Sequence, residues 1–149
     1  EPITAGKTLA SAIQIGNPVS INKAIDTLKR FDGIVEQATE KELADAAALG
    51  DMTGLFNCPH TGVALAVTFK LLRRRIIKPT DRVVVISTAH GLKFSSFKTD
   101  YHSRRLEGIT SHYANTTLEL PAELDTVKSE LFATIEKWKS VKIDWDMWQ

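Results

Sequence analysis

An unbroken run of β-branched residues limits the possible folds of this chain more than any other feature. Residues 83–86 read Val-Val-Val-Ile, with Arg82 before them and Ser87 after them. A strand with one solvated face alternates apolar and polar residues, whereas a strand of a parallel sheet is covered on both faces and is apolar throughout. The run therefore predicts a buried parallel strand over 82–87, and such a sheet needs helices on its faces.

Helical patterns alternate with short strand-like segments along the chain. Thr39 and Glu42 have the spacing of a capping box, and Leu120-Pro121 is typical of a helix start. Apolar periodicity predicts helices over 21–31, 40–49, 61–77 and from 120 onward, with short strands at 33–38 and 54–57. Residues 95–107 fit either a helix or a loop, and the order of a tail with Trp145 and Trp148 stays open. The alternation favours an α/β fold, a mostly parallel sheet flanked by helices.

Composition excludes several classes of protein. The 149 residues are enough for one globular domain, and 19 Lys and Arg against 18 Asp and Glu give a net charge of +1. This balance argues against nucleic-acid binding, for which a basic excess is expected. Cys58 is the single cysteine, so no disulfide forms within the chain, and no apolar run approaches the ~20 residues of a membrane helix.

The four residues Thr88-Ala89-His90-Gly91 follow the predicted strand at its carboxyl end. In α/β proteins this is where ligands bind. A threonine hydroxyl there can hydrogen-bond a ligand, and Gly91 permits a close backbone approach. A tight turn with a solvated histidine explains the same residues, so local features leave both interpretations open.

A second candidate site opens the long helix at Cys58-Pro59-His60-Thr61-Gly62. Helix N-termini attract anions and lower the pKa of a cysteine. Cys58 and His60 resemble a thiolate–imidazole pair, but residues two apart at a helix entry are not expected to point together. A packed thiol beside a capped helix start is the favoured interpretation of Cys58.

The remaining candidates are less specific. The four histidines lack metal-ligand spacing, which predicts no metal site. The basic runs 73–75 and 104–105 fit solvated helix faces better than anion sites. Asn17, after Gly16, either places its amide in a cleft or makes a turn.

Several long blocks, taken together, closely resemble the C-terminal part of plant-type threonine synthases. They occur in the family's order within about residues 9–103 and include the family-specific Asn57-Cys58-Pro59-His60-Thr61-Gly62. The blocks are 11–20, 33–36, 53–65, 79–94 and 100–103.

The resemblance implies a fold-type-II pyridoxal-phosphate enzyme that converts O-phosphohomoserine and water to threonine and phosphate. The chain would supply the C-terminal part of the large domain. Residues 1–20 would be an entry segment lining the cleft, 21–107 the α/β core and 108–149 a helical extension. Thr88 would hydrogen-bond the ring nitrogen of the cofactor, with Ala89, His90 and Gly91 packed against the ring. The substrate-cleft candidates are Asn17, Cys58, His60 and Thr61.

The chain also departs from the family. Family members are several times longer, and their cofactor lysine and phosphate-binding loop lie upstream of the matched part. Lys93 belongs to the ring-nitrogen motif, so the resemblance places no catalytic residue here and no covalently held cofactor.

Three interpretations remain: a C-terminal portion of a threonine synthase, a non-catalytic descendant serving as a subunit or binding module, and, less favoured, another fold-type-II enzyme such as a dehydratase. The expected partner is the upstream part of the fold or a separate chain that completes the sheet in an oligomer, with no nucleic acid and no membrane. The plant-type resemblance implies the chloroplast stroma.

Overall fold

The computed structural model describes residues 2–143, 146 and 148. Over these residues the chain forms five α-helices and two short 3₁₀ helices. The α-helices are α1 (Ile21–Arg30), α2 (Glu40–Asp51), α3 (Pro59–Arg73), α4 (Ser95–His102) and α5 (Leu124–Lys139). The 3₁₀ helices are Ser11–Ile13 and Gly91–Phe94.

The core lies where α2 packs against α3. Small residues let the two helices approach closely, among them Ala47 on α2 and Ala66 on α3, which are both fully buried. A Cβ atom at Gly62 would stand 2.4 Å from the Leu43 carbonyl oxygen. Glycine is therefore the residue that this helix crossing requires.

The capping box predicted at the start of α2 is confirmed. The Thr39 hydroxyl accepts the Glu42 N–H at 3.2 Å, and Glu42 Oε2 accepts the Thr39 N–H at 2.7 Å. The Glu42 carboxylate also pairs with the buried Lys70 ammonium of α3 at 3.1 Å. The Glu42 carboxylate therefore caps the start of α2 and also binds α2 to α3.

The predicted sheet is not found in the described part of the chain, which is helical. The segments 33–38 and 82–87 have no ladder partner, and β pairing is confined there to one antiparallel bridge between Asn57 and His90. The run expected to be buried is open to solvent, with Val84 87% and Ile86 75% exposed. A β-strand is held by backbone hydrogen bonds to a neighbouring strand. The described residues contain no strand that makes such bonds to 33–38 or 82–87.

Two helix boundaries differ by three residues or more from those predicted, and the others by at most two. The helix expected from Leu120-Pro121 begins at Leu124, because the Glu123 N–H turns back to the Pro121 carbonyl. The helix expected to reach Ile77 ends at Arg73, where Arg75 has a φ of 58°. The N–H groups of residues 76 and 77 both return to the Leu71 carbonyl, which closes the helix.

The C-terminal segment follows the sequence predictions in part. The expected apolar stripe lies along α5, but this helix has no buried residue, and Leu124, Val127 and Leu131 are exposed. Trp148 is fully buried, with its ring 4.9 Å from that of Phe69. Trp145 lies outside the described residues.

Candidate functional site

Cys58 is the N-cap of α3. Its backbone is extended, with φ −81° and ψ 162°, and its Sγ accepts the Thr61 N–H at 3.4 Å. Pro59 occupies the first helical position, where its missing N–H costs no helical hydrogen bond. The expectation of a packed thiol at this helix start is confirmed, and the thiol itself makes the cap.

Thr88 reaches this helix start from 30 residues away in the sequence. Its Oγ1 lies 3.7 Å from Cys58 Sγ, and the neighbouring Ser87 Oγ lies 3.2 Å from Thr61 Oγ1. Thr61 Oγ1 is itself 3.2 Å from Cys58 Sγ. The two candidate sites predicted from the sequence therefore form one cluster, in which two threonine hydroxyls contact the sulfur atom and the Ser87 hydroxyl contacts Thr61.

The segment after Thr88 is attached by its backbone. The Gly91 N–H donates to the Phe56 carbonyl at 2.7 Å, beside the bridge between Asn57 and His90. A Cβ at Gly91 would stand 2.8 Å from the Asn57 carbonyl oxygen. The close approach that Gly91 permits is thus to the chain's own backbone. His90 is exposed, stacks near the Phe56 ring, and accepts the Leu92 N–H on Nδ1.

His60 ties the N-terminal segment to the cluster. Its Nε2 accepts the Ala12 N–H at 2.9 Å, and its ring lies 5.0 Å from the Phe94 ring. Since Nε2 is an acceptor, the neutral ring carries its proton on Nδ1. Asn17 is exposed, and in the described part of the chain no hydrogen bond joins it to the cluster.

The surroundings of Cys58 favour its thiolate form. Burial alone raises the pKa of the thiol, but hydrogen bonds from Thr61, His60 and Thr88 outweigh burial and lower the pKa to about 6. The N-terminus of a helix adds a favourable field for an anion. His60, which the sequence does not predict to point toward Cys58, is among the residues that lower the pKa of Cys58.

An apolar cavity adjoins the cluster. Its volume is about 530 Å³, and its polar lining includes Asn57, Thr61 and Ser87. The remaining walls are mostly aliphatic and aromatic, among them Leu65, Phe69, Val85 and Ile143. Of the candidate residues predicted from the sequence, Thr61 lines this cavity.

Two negative findings hold within the described residues. No three His, Cys, Asp or Glu side chains among them are grouped so that they could hold a metal ion. None of the helices formed by these residues is long and apolar enough to cross a bilayer.

Comparison with known proteins agrees with the motifs. The chain is 52% identical over 130 residues to "Threonine synthase 2, chloroplastic" of Arabidopsis thaliana, a match to 87% of this chain and 25% of the relative. The chain belongs to the threonine synthase family. The threonine synthase of Methanocaldococcus jannaschii is 39% identical over 93 residues, which are 62% of this chain and 23% of that relative. No protein-family model matches the chain.

The family match spans a limited part of those enzymes. This chain covers about a quarter of the length of the threonine synthases that it matches.

Sequence reasoning missed a buried ion pair beside the cluster. Lys98 Nζ of α4 lies 2.5 Å from Asp51 Oδ2 at the end of α2, and Asp51 Oδ1 accepts the Asn57 N–H at 2.8 Å. The Lys98 ammonium also stands 5.0 Å from the centre of the Phe56 ring. The pair holds the segment before Cys58 in place. Because Lys98 and Asp51 are 47 positions apart in the sequence, no local spacing could have predicted the pair.

Proposed function

We propose that this chain supplies the C-terminal part of a pyridoxal-phosphate-dependent threonine synthase. The reaction converts O-phosphohomoserine and water to threonine and phosphate. The observation that carries the proposal is the convergence of the two family motifs. Thr88 of one motif and Cys58 and Thr61 of the other form one hydrogen-bonded cluster at the start of α3.

The residues of the cluster fit the cofactor's pyridine ring. Thr88 is an exposed residue, and its hydroxyl has one hydrogen, which the ring nitrogen would accept in place of Cys58 Sγ. Pyridoxal phosphate, when bound, serves as an electron sink for the substrate. An uncharged hydroxyl partner leaves the ring nitrogen neutral, whereas a carboxylate would keep it protonated. A neutral ring suits elimination and replacement on the substrate side chain.

The other candidate residues have supporting roles in the proposal. Ala89, His90 and Gly91 would lie against the ring, while Asn17, Cys58, His60 and Thr61 would line the substrate cleft. Residues 1–20 would form the entry to the cleft, 21–107 the core and 108–149 a helical extension. The cofactor lysine would come from the part of the family that this chain does not match.

The exposed run at 83–86 supports a partner. In the proposed enzyme it becomes a strand of a mostly parallel sheet of the fold-type-II large domain. The other strands come from the upstream part of the fold or from a partner chain. The "chloroplastic" name of the Arabidopsis relative supports the chloroplast as the location, and within it we propose the stroma.

Reconstitution tests this proposal. The chain is mixed with the portion of the Arabidopsis relative that it does not match, pyridoxal phosphate and O-phosphohomoserine, and released phosphate and threonine are measured. We expect turnover, and Thr88→Val lowers it about tenfold or more, because a hydrogen bond to the ring is lost. Thr68→Val is the matched control, since the Thr68 hydroxyl donates to the Ala64 carbonyl on α3.

A second candidate function is that of a non-catalytic subunit or binding module, favoured by the absence of a family lysine motif from the 149 residues. A complex that forms without turnover would support this alternative. If no complex forms, both proposals fail.

A further inference from the structure

The Thr88 hydroxyl has a single hydrogen, and the structure already provides an acceptor for it. Cys58 Sγ lies 3.7 Å from Thr88 Oγ1, within the range of a hydrogen bond to sulfur. The sulfur atom also accepts the Thr61 N–H and stands 3.2 Å from the Thr61 hydroxyl. Because hydrogen-bond donors surround the Cys58 sulfur atom, it serves as a hydrogen-bond acceptor.

One arrangement of donors satisfies all three hydroxyls of the cluster. Ser87 Oγ lies 3.2 Å from Thr61 Oγ1 and can donate to it, which leaves the Thr61 hydrogen for Cys58. The Thr88 hydrogen then has the same sulfur as its acceptor. In this arrangement each hydrogen of the three hydroxyls has an acceptor inside the protein.

We propose that Cys58 is a positioning residue that competes with a ligand's ring nitrogen for the hydroxyl hydrogen of Thr88. The inference rests on the proposed function, which places a pyridine nitrogen at Thr88. When Thr88 donates to the nitrogen, it cannot donate to Cys58. Ligand binding therefore removes one hydrogen bond from the thiolate and favours uptake of a proton by the sulfur atom.

The ionisation state of Cys58 determines whether its sulfur atom or the ligand's ring nitrogen accepts the Thr88 hydrogen. Its pKa lies near 6 because of the donors around it, so a thiolate is present at neutral pH. The ionisable groups that act on it are His60 on α3 and Lys98 on α4, the latter paired with Asp51 of α2. By linkage, a ligand that takes the Thr88 hydrogen must raise the pKa of Cys58, and protonation of Cys58 must tighten binding of that ligand.

The first test needs no ligand. Cys58 is the single cysteine, so isotopically labelled cysteine gives one NMR signal whose pH dependence reports the thiol pKa. We expect Thr88→Val to raise this pKa by about one unit, the size of one hydrogen bond to the charged form. Thr88→Ser keeps the hydroxyl and the original pKa, and Thr68→Val is the control on the same helix. An unchanged pKa in Thr88→Val would overturn the inference. Because residue 88 is exposed, that variant is expected to fold, and circular dichroism checks it.

The second test adds the cofactor. The labelled chain is mixed with the unlabelled complementary portion of the Arabidopsis relative, and the titration is repeated with and without pyridoxal phosphate. We expect the cofactor to raise the pKa of Cys58 in the wild-type complex and to leave it unchanged with Thr88→Val. A cofactor that binds without moving the pKa would refute the competition while leaving the proposed function intact. A complex that binds no cofactor would refute the proposed function. It would also refute the competition between Cys58 and the ring nitrogen, whatever the first titration shows.

Discussion

At the scale of single residues, Asp45 places a carboxylate in the core. It lies fully buried on α2, and its Oδ1 accepts the Tyr101 hydroxyl at 2.5 Å and the His112 N–H at 3.2 Å. Its Oδ2 is buried and has no hydrogen-bond partner in the described part of the chain. Burial raises the pKa of Asp45, and the hydrogen bond from Tyr101 and the nearby His112 offset this only in part. The carboxylate thus fastens α4 and the segment around 112 to α2, at a cost in desolvation.

The raised pKa of Asp45 makes stability depend on pH. Because the folded chain holds this proton more tightly than the unfolded chain, the contribution is present below the unfolded-state pKa and is lost as the pH rises through the folded-state pKa. Asp45→Asn keeps a carbonyl acceptor for Tyr101 and removes the titration. Urea denaturation at a series of pH values measures the free energy of unfolding. We expect this free energy to decline with rising pH in the wild type, and we expect the variant to lack this decline.

The exposed Asp26 supplies the comparison, since Asp26→Asn should leave the decline in place. Parallel pH profiles for the wild type and Asp45→Asn would show that the Asp45 carboxylate does not change its protonation between the two states in this range.

At the scale of elements, the α2–α3 pair positions the candidate site. The cluster stands at the first turn of α3, and the Glu42–Lys70 ion pair fastens that helix to α2 along its length. Asp51, at the other end of α2, holds Lys98 and the Asn57 N–H. A change in the distance between these two helices would therefore move Cys58 relative to Thr88.

Gly62 sets that distance. Gly62→Ala would place a methyl group 2.4 Å from the Leu43 carbonyl oxygen, so the helices must separate. We expect a loss of about 1–3 kcal/mol in the free energy of unfolding, typical of overpacking in a core. Thermal and urea denaturation measure it. Gly6→Ala is the matched control because a Cβ there meets nothing within 4 Å. Equal stability of the two variants would mean that the crossing adapts without strain.

At the scale of the whole molecule, two apolar faces are exposed in the described part of the chain. Val83, Val84 and Ile86 form one, and the stripe of α5 forms the other. Soluble monomers rarely expose contiguous apolar patches of large size, and unpaired strand-like segments favour association. The matched segment is about a quarter of the length of the Arabidopsis threonine synthase.

We expect the isolated chain to associate. Sedimentation velocity should show species larger than the 16.5 kDa monomer. Val84→Lys should reduce their proportion, because a charged side chain at that fully solvated position opposes burial of the run. Thr80→Lys, at another exposed position in the same segment, should change little. A compact monomer with a sharp cooperative melt would contradict the prediction and indicate a self-sufficient domain.

The sequence by itself determined the features whose chemistry lies within a few residues. The capping box at Thr39 and Glu42 and the packed thiol of Cys58 at the start of the long helix are predicted correctly, because caps and helix starts depend on near neighbours. The family motifs likewise identified Thr88 and Cys58 as candidates before any contact was known.

The tertiary structure alone decided how distant segments meet. The β-branched run predicted a covered strand, but a strand needs pairing partners that the described residues do not provide, so the run lies in solvent. The contact between Cys58 and Thr88 spans 30 residues, and the pair of Lys98 and Asp51 spans 47. Such contacts depend on where the packed helices carry the chain, which no local spacing records.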